Sequence, residues 1–189
     1  MNANVSTLCF AARTYGAVLL ALCCAGCQLF GDPAQENRDR LYARLEEFSQ
    51  IPPREQLTDQ PYIRGRALVV TKKQDPPITM EDPITWGSDK AKELMAEAPE
   101  QVETVVVLNY SKDKVATYNI VEGKGGVYGY RESCEVILID RSIPAVIHRK
   151  TFRGPELPPT KIIRETQGEV LSSVDLTTVR NYVMNIPRR

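Results

Sequence analysis

The pattern of hydrophobic and polar residues changes after Tyr62, where five stretches are strand-like. Glycine, proline or polar residues bound these stretches: IRGRALVVTKK, VETVVVLNY, KVATYNIV, VYGYRESCEVILID and AVIHRKTF. The segment EVILID is apolar on both faces, so we expect it in the middle of a sheet that is covered on two sides. Two links have hairpin length, SKDK and RSIP. We expect each to join an antiparallel pair of strands.

An amphipathic helix is predicted before the first strand, in GDPAQENRDRLYARLEEFSQ. Asp32 is placed to cap it, with Pro33 at the first helical position and Gln35 three residues after the cap. Its apolar face is expected to present Leu41, Leu45 and Phe48. The segment that follows, IPPREQLTDQP, is too rich in proline for regular structure.

Two more helices are predicted downstream. The stretch SDKAKELMAEAPE has a cap at Ser88 and a stop at Pro99. The stretch SSVDLTTVRNYVMNIP ends the sequence, and its inner side is expected to hold Val174, Val179, Val183 and Met184. The order of elements is therefore helix, strand, helix, four strands, helix. This order predicts an α+β fold: a mostly antiparallel sheet of about five strands with two or three helices packed on it.

Length and charge limit the class of protein. The chain has 189 residues, 42% of them hydrophobic, which suits one globular domain plus an appendage. Basic and acidic residues balance at 24 each, and the first 26 residues contain one charged side chain, Arg13. Without them the count is 23 basic against 24 acidic, a net charge of −1. We therefore expect no nucleic-acid partner and no polybasic contact with anionic lipid.

The cysteines are distributed unevenly. Four of them lie near the N-terminus, Cys9, Cys23, Cys24 and Cys27. Cys134 stands alone far downstream, and His148 is the single histidine of the chain. A disulfide scaffold would spread an even number of cysteines through the folded part, and a zinc site needs about four ligands. We therefore expect neither a disulfide framework nor a bound metal or cofactor.

The N-terminal segment has the properties of a targeting signal. Residues 1–13 contain no acid, and the apolar run TYGAVLLALCCAG follows them. This run is shorter than the roughly 20 residues of a bilayer-spanning helix and has the length of a signal-peptide core. At its end, Cys24-Ala25-Gly26-Cys27 resembles the lipobox of bacterial lipoproteins, whose usual form is Leu-Ala/Ser-Gly/Ala-Cys. Ala25 and Gly26 match that form, and Cys24 replaces the usual leucine.

The lipobox resemblance, which covers residues 1–28, implies a covalent membrane anchor. Cys27 would be thioether-linked to diacylglycerol and, after cleavage, would become the acylated first residue, so the expected partner is membrane lipid. Two or three acyl chains suffice for stable attachment. Gln28 follows the anchor. Aspartate there signals inner-membrane retention in enteric bacteria, so we expect the outer membrane.

The organisation that follows has three parts. Residues 1–26 are expected to be a lipoprotein signal peptide. Residues 27–61 are expected to contain the lipidated N-terminus, the amphipathic helix and the proline-rich linker. Residues 62–189 are expected to form a single α+β domain.

The residue types of a nucleophilic triad occur at Cys134, His148 and Asp140. If RSIP is a four-residue loop that pairs Asp140 with Ala145, Cys134 and His148 lie on different faces of the sheet; a three-residue loop would put them on the same face. We expect Cys134 to be a buried core cysteine and assign no catalytic residue.

Other candidate residues are also expected to have structural roles. The glycines of EGKGGVYG lie between two strands, without phosphate-loop spacing, and predict a hairpin turn. The acids form no motif and are expected to be solvated: Asp75, Asp82, Glu97, Glu100, Glu132 and Glu135. Four tyrosines alternate with polar residues on adjacent strands, Tyr110, Tyr118, Tyr128 and Tyr130. They predict a half-exposed sheet face or a sugar-binding surface. Trp86 is either a core residue or a ligand contact.

We therefore predict a membrane-anchored envelope lipoprotein that is not an enzyme and acts by binding a protein or ligand, with an envelope protein as a candidate partner. Two alternatives stay open. A membrane-tethered hydrolase would use Cys134, His148 and the loop acids, and it would require His148 within hydrogen-bond reach of Cys134 or an acid. A glycan or small-molecule sensor would use the tyrosines and would require an exposed aromatic patch.

Overall fold

The computed structural model describes residues 32–73, 78–119, 126–159 and 169–189. The helices within these ranges are α1 Pro33–Ala43, α2 Leu45–Phe48, α3 Asp89–Leu94 and α4 Leu176–Met184, with 3-10 turns at Pro83–Trp86 and Pro99–Gln101. The strands are β1 Arg66–Lys72, β2 Ile78–Met80, β3 Val102–Asn119, β4 Gly126–Asp140, β5 Ala145–Arg153 and β6 Glu169–Ser172. The chain divides into two compact units, Met1–Asp39 and Arg40–Arg189.

The described part of the first unit is the beginning of α1. The Asp32 carboxylate accepts a hydrogen bond from the Ala34 amide at 3.0 Å, so the predicted N-cap is confirmed. Gln35 does not complete a capping box, since its amide donates to Asp39 at 2.8 Å.

The second unit is built on one sheet whose strand order is β2-β1-β3-β4-β5, with β6 paired to β4. The pairs β1–β3 and β4–β6 are parallel, and the other pairs are antiparallel. Strand β4 is central, because β3 lies along one of its edges while β5 and β6 share the other. The α+β fold with a mostly antiparallel sheet, predicted from the order of elements, is confirmed.

Hydrophobic clusters cover both faces of the sheet, and the two faces of EVILID divide between them. Val136 and Leu138 belong to the first cluster, on the face covered by α3 and α4. Ile137 and Ile139 belong to the second cluster. The second cluster also contains Leu41, Leu45 and Phe48, as the predicted apolar face of the first helix requires. The interior position predicted for EVILID is confirmed.

The predicted hairpin at SKDK is wrong. Strand β3 continues through this segment, and Lys112, Asp113 and Lys114 pair with Glu132, Arg131 and Tyr130 of β4. The segment lacks the glycine or asparagine that a tight hairpin turn requires. Its side chains are exposed to solvent, so a charged sequence is compatible with a long two-stranded ribbon. Two short strands, β2 and β6, also have no counterpart in the prediction.

The RSIP loop is confirmed at four residues, because Asp140 pairs with Ala145. The predicted register beyond it fails, since a β-bulge shifts the pairing between Leu138 and Ile139. Ile139 opposes Val146 and Leu138 opposes His148, so Ile147 is the extra residue. Cys134 and His148 therefore lie on the same face despite the four-residue loop.

The two predicted downstream helices are present but shorter than expected: α3 ends at Leu94, before the expected stop at Pro99, and α4 begins after Val174. Ser88 caps α3 by accepting from the Lys90 amide, and Asp175 caps α4. Val179 and Val183 of α4 are buried, as expected of its inner side. The proline-rich segment before β1 is irregular and lies along β5. The amide of Val146 donates to Arg54 O at 3.0 Å, and its carbonyl accepts from the Gln56 amide at 2.8 Å.

Candidate functional site

The structure does not assemble Cys134, His148 and Asp140 into a triad. Cys134 opposes Phe152 and His148 opposes Leu138, four residues further along β4. At about 3.3 Å per residue, this separates the two positions by roughly 13 Å. Among the hydrogen bonds of the described residues, none joins any two of these three side chains.

Cys134 is a buried thiol in contact with Tyr110. It is fully inaccessible and lies directly opposite Tyr110 of β3. Burial raises the pKa of the Cys134 thiol to about 11, and burial also raises the pKa of Tyr110. Because the thiolate is the nucleophilic form, a thiol with this pKa is unreactive at neutral pH.

His148 is bonded to helix α4. Its Nε2 lies 2.6 Å from the hydroxyl of Tyr182, whose ring packs against Phe152 at 5.3 Å. Burial, with a smaller contribution from Lys150, lowers the pKa of His148. The imidazole is therefore neutral at pH 7, and Nε2 can accept the Tyr182 proton. This arrangement fastens α4 to the sheet.

Asp140 lies in a buried polar network at the end of β4. Its carboxylate accepts hydrogen bonds from the Tyr62 hydroxyl at 2.9 Å and from the Ser142 amide and hydroxyl at 2.8 and 2.6 Å. Arg64 Nε lies 3.2 Å from Oδ2, without the alignment of a hydrogen bond. Burial alone would raise the pKa of Asp140, but these bonds and the Arg64 charge lower it. The network ties the segment before β1 to β4.

Trp86 is a core residue and not an exposed ligand contact. It is 7% exposed, and its indole N–H donates to Glu81 at 3.0 Å. The Glu81 carboxylate also accepts from Thr71 at 2.7 Å and lies 3.4 Å from Arg180 of α4. Glu81 therefore holds Trp86, β1 and α4 together.

In the part of the chain that the structure describes, each of the remaining candidate acids contacts a backbone amide or an arginine. Asp82 caps a 3-10 turn, Glu97 and Glu100 pair with arginines, Glu132 accepts from the Val174 amide, and Glu135 pairs with Arg149. Asp75 lies outside the described residues, as do Gly123 and Gly125 of EGKGGVYG. Gly129 of that segment lies within β4, where an added Cβ would come within 2.9 Å of the Tyr118 ring.

The four tyrosines divide between the two faces of the β3–β4 ribbon. Tyr118 is buried against Val127 and Val170, and its hydroxyl donates to Pro158 O at 2.8 Å. Tyr110, Tyr128 and Tyr130 lie on the face opposite to Tyr118, because a bulge near Val115 shifts the register of β3. The aromatic surface therefore contains three of the four predicted residues.

A lysine ammonium lies over each of these three rings. Lys73 is 4.7 Å from the Tyr110 centroid, Lys112 is 4.8 Å from that of Tyr130, and Lys114 is 3.4 Å from that of Tyr128. We call these six residues the lysine–tyrosine face. Each cation–π contact contributes about 0.5–1 kcal/mol at an exposed site.

The lysine–tyrosine face combines exposed apolar surface with positive charge. Tyr128 is 45% exposed, and Leu171 on β6, which lies opposite Tyr130, is also 45% exposed. Glu169 neutralises Lys112 at 3.0 Å. Tyrosine is enriched at protein interfaces because it offers both an apolar ring and a hydroxyl. The face can therefore bind a partner that presents apolar groups and negative charge.

No protein-family model, no curated protein and no solved structure matches this chain. In the part of the chain that the structure describes, no helix is long and apolar enough to cross a membrane. Over the same ranges, no three His, Cys, Asp or Glu side chains are grouped so that they could hold a metal ion. Cys27 lies outside the described residues.

The lysine–tyrosine face could be predicted in part from the sequence. Lys112 and Lys114 lie two positions apart, as do Tyr128 and Tyr130, so each pair points to one face of its strand. The missing information was the register between them, because the segment around Lys112 and Lys114 was expected to be a turn.

Proposed function

We propose that this chain is a lipoprotein of the cell envelope, attached to the membrane through acylated Cys27, whose folded region binds a protein or ligand and catalyses no reaction. The observation that carries the proposal is Cys24-Ala25-Gly26-Cys27 at the end of an apolar run too short to span a bilayer. A thiol is a strong nucleophile for alkylation, and small residues before it allow a peptidase to approach the backbone. Gln28 favours the outer membrane.

Two features of the folded region support binding over catalysis. Cys134 is protonated and buried, and His148 is bonded to Tyr182 instead of an acid or a thiol. A membrane-tethered hydrolase finds no support in this geometry. The exposed ring of Tyr128 and the ammonium groups of the lysine–tyrosine face provide the contact surface.

The anchor is tested by substitution of the N-terminal cysteines in the native host. Cys27→Ser should abolish acyl labelling and leave a slower-migrating precursor, because serine cannot form the thioether. Cys23→Ser, the matched control, should still be labelled. The decisive measurement is the mass of the mature N-terminal peptide. A peptide that starts at Cys27 and carries acyl chains supports the proposal; one that starts elsewhere without lipid would refute membrane anchoring.

The binding surface is tested by crosslinking in intact envelopes. Tyr128→Ala should remove a specific crosslinked band, because it deletes the most exposed ring of the lysine–tyrosine face. Tyr42→Ala is the matched control, since Tyr42 is 49% exposed and lies on α1. A band that both variants retain would place the partner elsewhere.

The same two variants address the sensor alternative, which the exposed ring of Tyr128 favours. Sugar rings stack on tyrosine through their C–H faces, so a glycan partner would bind this surface too. Retention of the chain on immobilised envelope glycan, lost in Tyr128→Ala and kept in Tyr42→Ala, would identify a glycan sensor. A protein crosslink with the same dependence would identify a protein partner.

A further inference from the structure

A groove of about 310 Å³ opens on the sheet face opposite to α4. Its floor is formed by Val105 and Ile139, which are almost completely buried side chains of β3 and β4. The other residues that line it are Glu47, Phe48, the segment 50–53, Arg141 and Pro144. This volume lies at the lower end of the range for small-molecule sites, and the mostly apolar lining is typical of them.

The charged groups of the groove leave one guanidinium weakly paired. Glu47 accepts two hydrogen bonds from Arg44, at 2.8 and 2.9 Å. Arg141 reaches the same carboxylate at 3.4 Å. Two arginines therefore face one carboxylate, and the better geometry belongs to Arg44. Glu47 and Arg141 line the groove and Arg44 does not, so the positive group available in the groove is the weakly paired guanidinium of Arg141.

The guanidinium of Arg141 is held in place by stacking on the ring of Phe48. Its guanidinium carbon lies 4.4 Å from the centroid of the Phe48 ring, and Arg44 lies over the same ring at 4.9 Å. Stacking restricts the guanidinium while its N–H edge remains able to donate, and a planar fork matches a carboxylate in two parallel hydrogen bonds. A restricted side chain loses less entropy when a ligand binds.

We propose that this groove binds a small amphipathic anion: an apolar, one- or two-ring or short aliphatic body on Val105 and Ile139, with a single carboxylate paired to Arg141. The apolar floor excludes fully polar solutes, because their groups would lose hydrogen bonds with water. The Arg141 guanidinium selects an anion over a neutral molecule of the same shape, because Glu47 is already paired with Arg44. This site is independent of Cys27 and of the lysine–tyrosine face, so it goes beyond the proposed function.

The test is photolabelling of the full chain in detergent with 4-benzoylbenzoate, with neutral 4-benzoylbenzamide as the matched probe. The acid should form adducts on peptides that contain residues 48–53 or 139–144, and naphthalene-2-carboxylate should compete. Labelling by the amide should require about tenfold more probe or greater, as expected for loss of a charge-assisted contact.

Variants at Arg141 separate charge recognition from adsorption. Arg141→Gln should raise the half-saturating concentration of the acid about tenfold or more, and Arg141→Lys should retain part of the affinity. Arg153→Gln, at an exposed position at the end of β5, should leave labelling unchanged. Fluorescence of Trp86, on the opposite face of the sheet, reports whether each variant is folded. Equal labelling by acid and amide, adducts outside the groove, or an Arg141→Gln variant that is folded and labelled as before would each overturn the proposal.

Discussion

Replacement of Asp140 should destabilise the fold more than replacement of any surface acid. In Asp140→Ala, the Tyr62 hydroxyl and the Ser142 amide lose a buried acceptor, and Arg64 loses its ion-pair partner. Asp140 is fully buried. Removal of one partner of a buried ion pair costs about 3–5 kcal/mol of unfolding free energy, and solvent screening of Arg64, whose side chain is 42% exposed, places the expected loss at the lower end, about 3 kcal/mol. Asp140→Asn preserves the shape and one acceptor, so we expect about 2–3 kcal/mol.

The pH dependence of this loss identifies its electrostatic part. Hydrogen bonds and the Arg64 charge outweigh burial and lower the folded-state pKa of Asp140 below its unfolded value. Its contribution is therefore complete above the unfolded pKa of about 3.9 and is lost as the pH falls through the folded pKa. The difference between wild type and Asp140→Asn should shrink below about pH 4.

The assay is urea unfolding of residues 28–189, followed by Trp86 fluorescence and circular dichroism between pH 3 and 7. Asp89→Asn is the control, because the Asp89 side chain is 93% exposed and its pair with Lys92 spans one helical turn. We expect this control to change stability by less than about 0.5 kcal/mol. An Asp140→Asn variant within that same limit at pH 7 would refute the buried-network argument.

Three further predictions concern the rest of the second unit and its boundary. Residues 28–189, expressed alone, should give a soluble monomer that unfolds cooperatively; separate transitions by two probes would show that the boundary is misplaced. Cys134 should resist a thiol reagent at pH 8 and react after unfolding, because burial raises its pKa to about 11; fast reaction in the folded state would contradict this. Burial lowers the folded-state pKa of His148, so folding favours the neutral imidazole. The resulting stability should be present above the unfolded pKa of about 6.5 and should decline as the pH falls below that value. A folded His148→Gln variant should lack this decline.

The fold class followed from local patterns that have a direct physical cause. EVILID is apolar on both faces, so it has to be covered on both, and the structure covers it with two clusters. Helix starts were equally accessible, because Asp32 and Ser88 satisfy the first amides of their helices from within the same segment. Such interactions join residues a few positions apart, so the local sequence is sufficient to predict them.

The surfaces proposed for binding depend on interactions that a local pattern does not contain. The lysine–tyrosine face requires Lys114 to be paired with Tyr130, sixteen positions away, and this pairing follows from the continuity of β3. The groove requires Phe48 and Arg141, which lie on different elements, to stack on each other. Register and packing fix both contacts. The assignment of Cys27 as the lipid anchor differs from both surfaces, because it depends on a short motif in the local sequence and on no long-range contact.

The bulge at Ile147 yields the sharpest test of how register is set. Because Val146 and His148 already oppose adjacent residues of β4, deletion of Ile147 preserves every other pair of the β4–β5 ladder. Its cost should be that of an emptied core position plus the loss of the hydrogen bond from the Thr58 amide to the Ile147 carbonyl, so it should exceed Ile147→Ala, about 2–5 kcal/mol, by roughly 1–2 kcal/mol. Deletion of exposed Lys150 should instead move Phe152 to the wrong face of the sheet and away from Tyr182, and it should cost far more than the nearly neutral Lys150→Ala. The test compares the unfolding free energies of the four variants, measured by urea titration. If deletion of Ile147 is much more damaging than Ile147→Ala, the bulge itself maintains the ladder, and the view that hydrophobic alternation sets the register on either side of it is wrong.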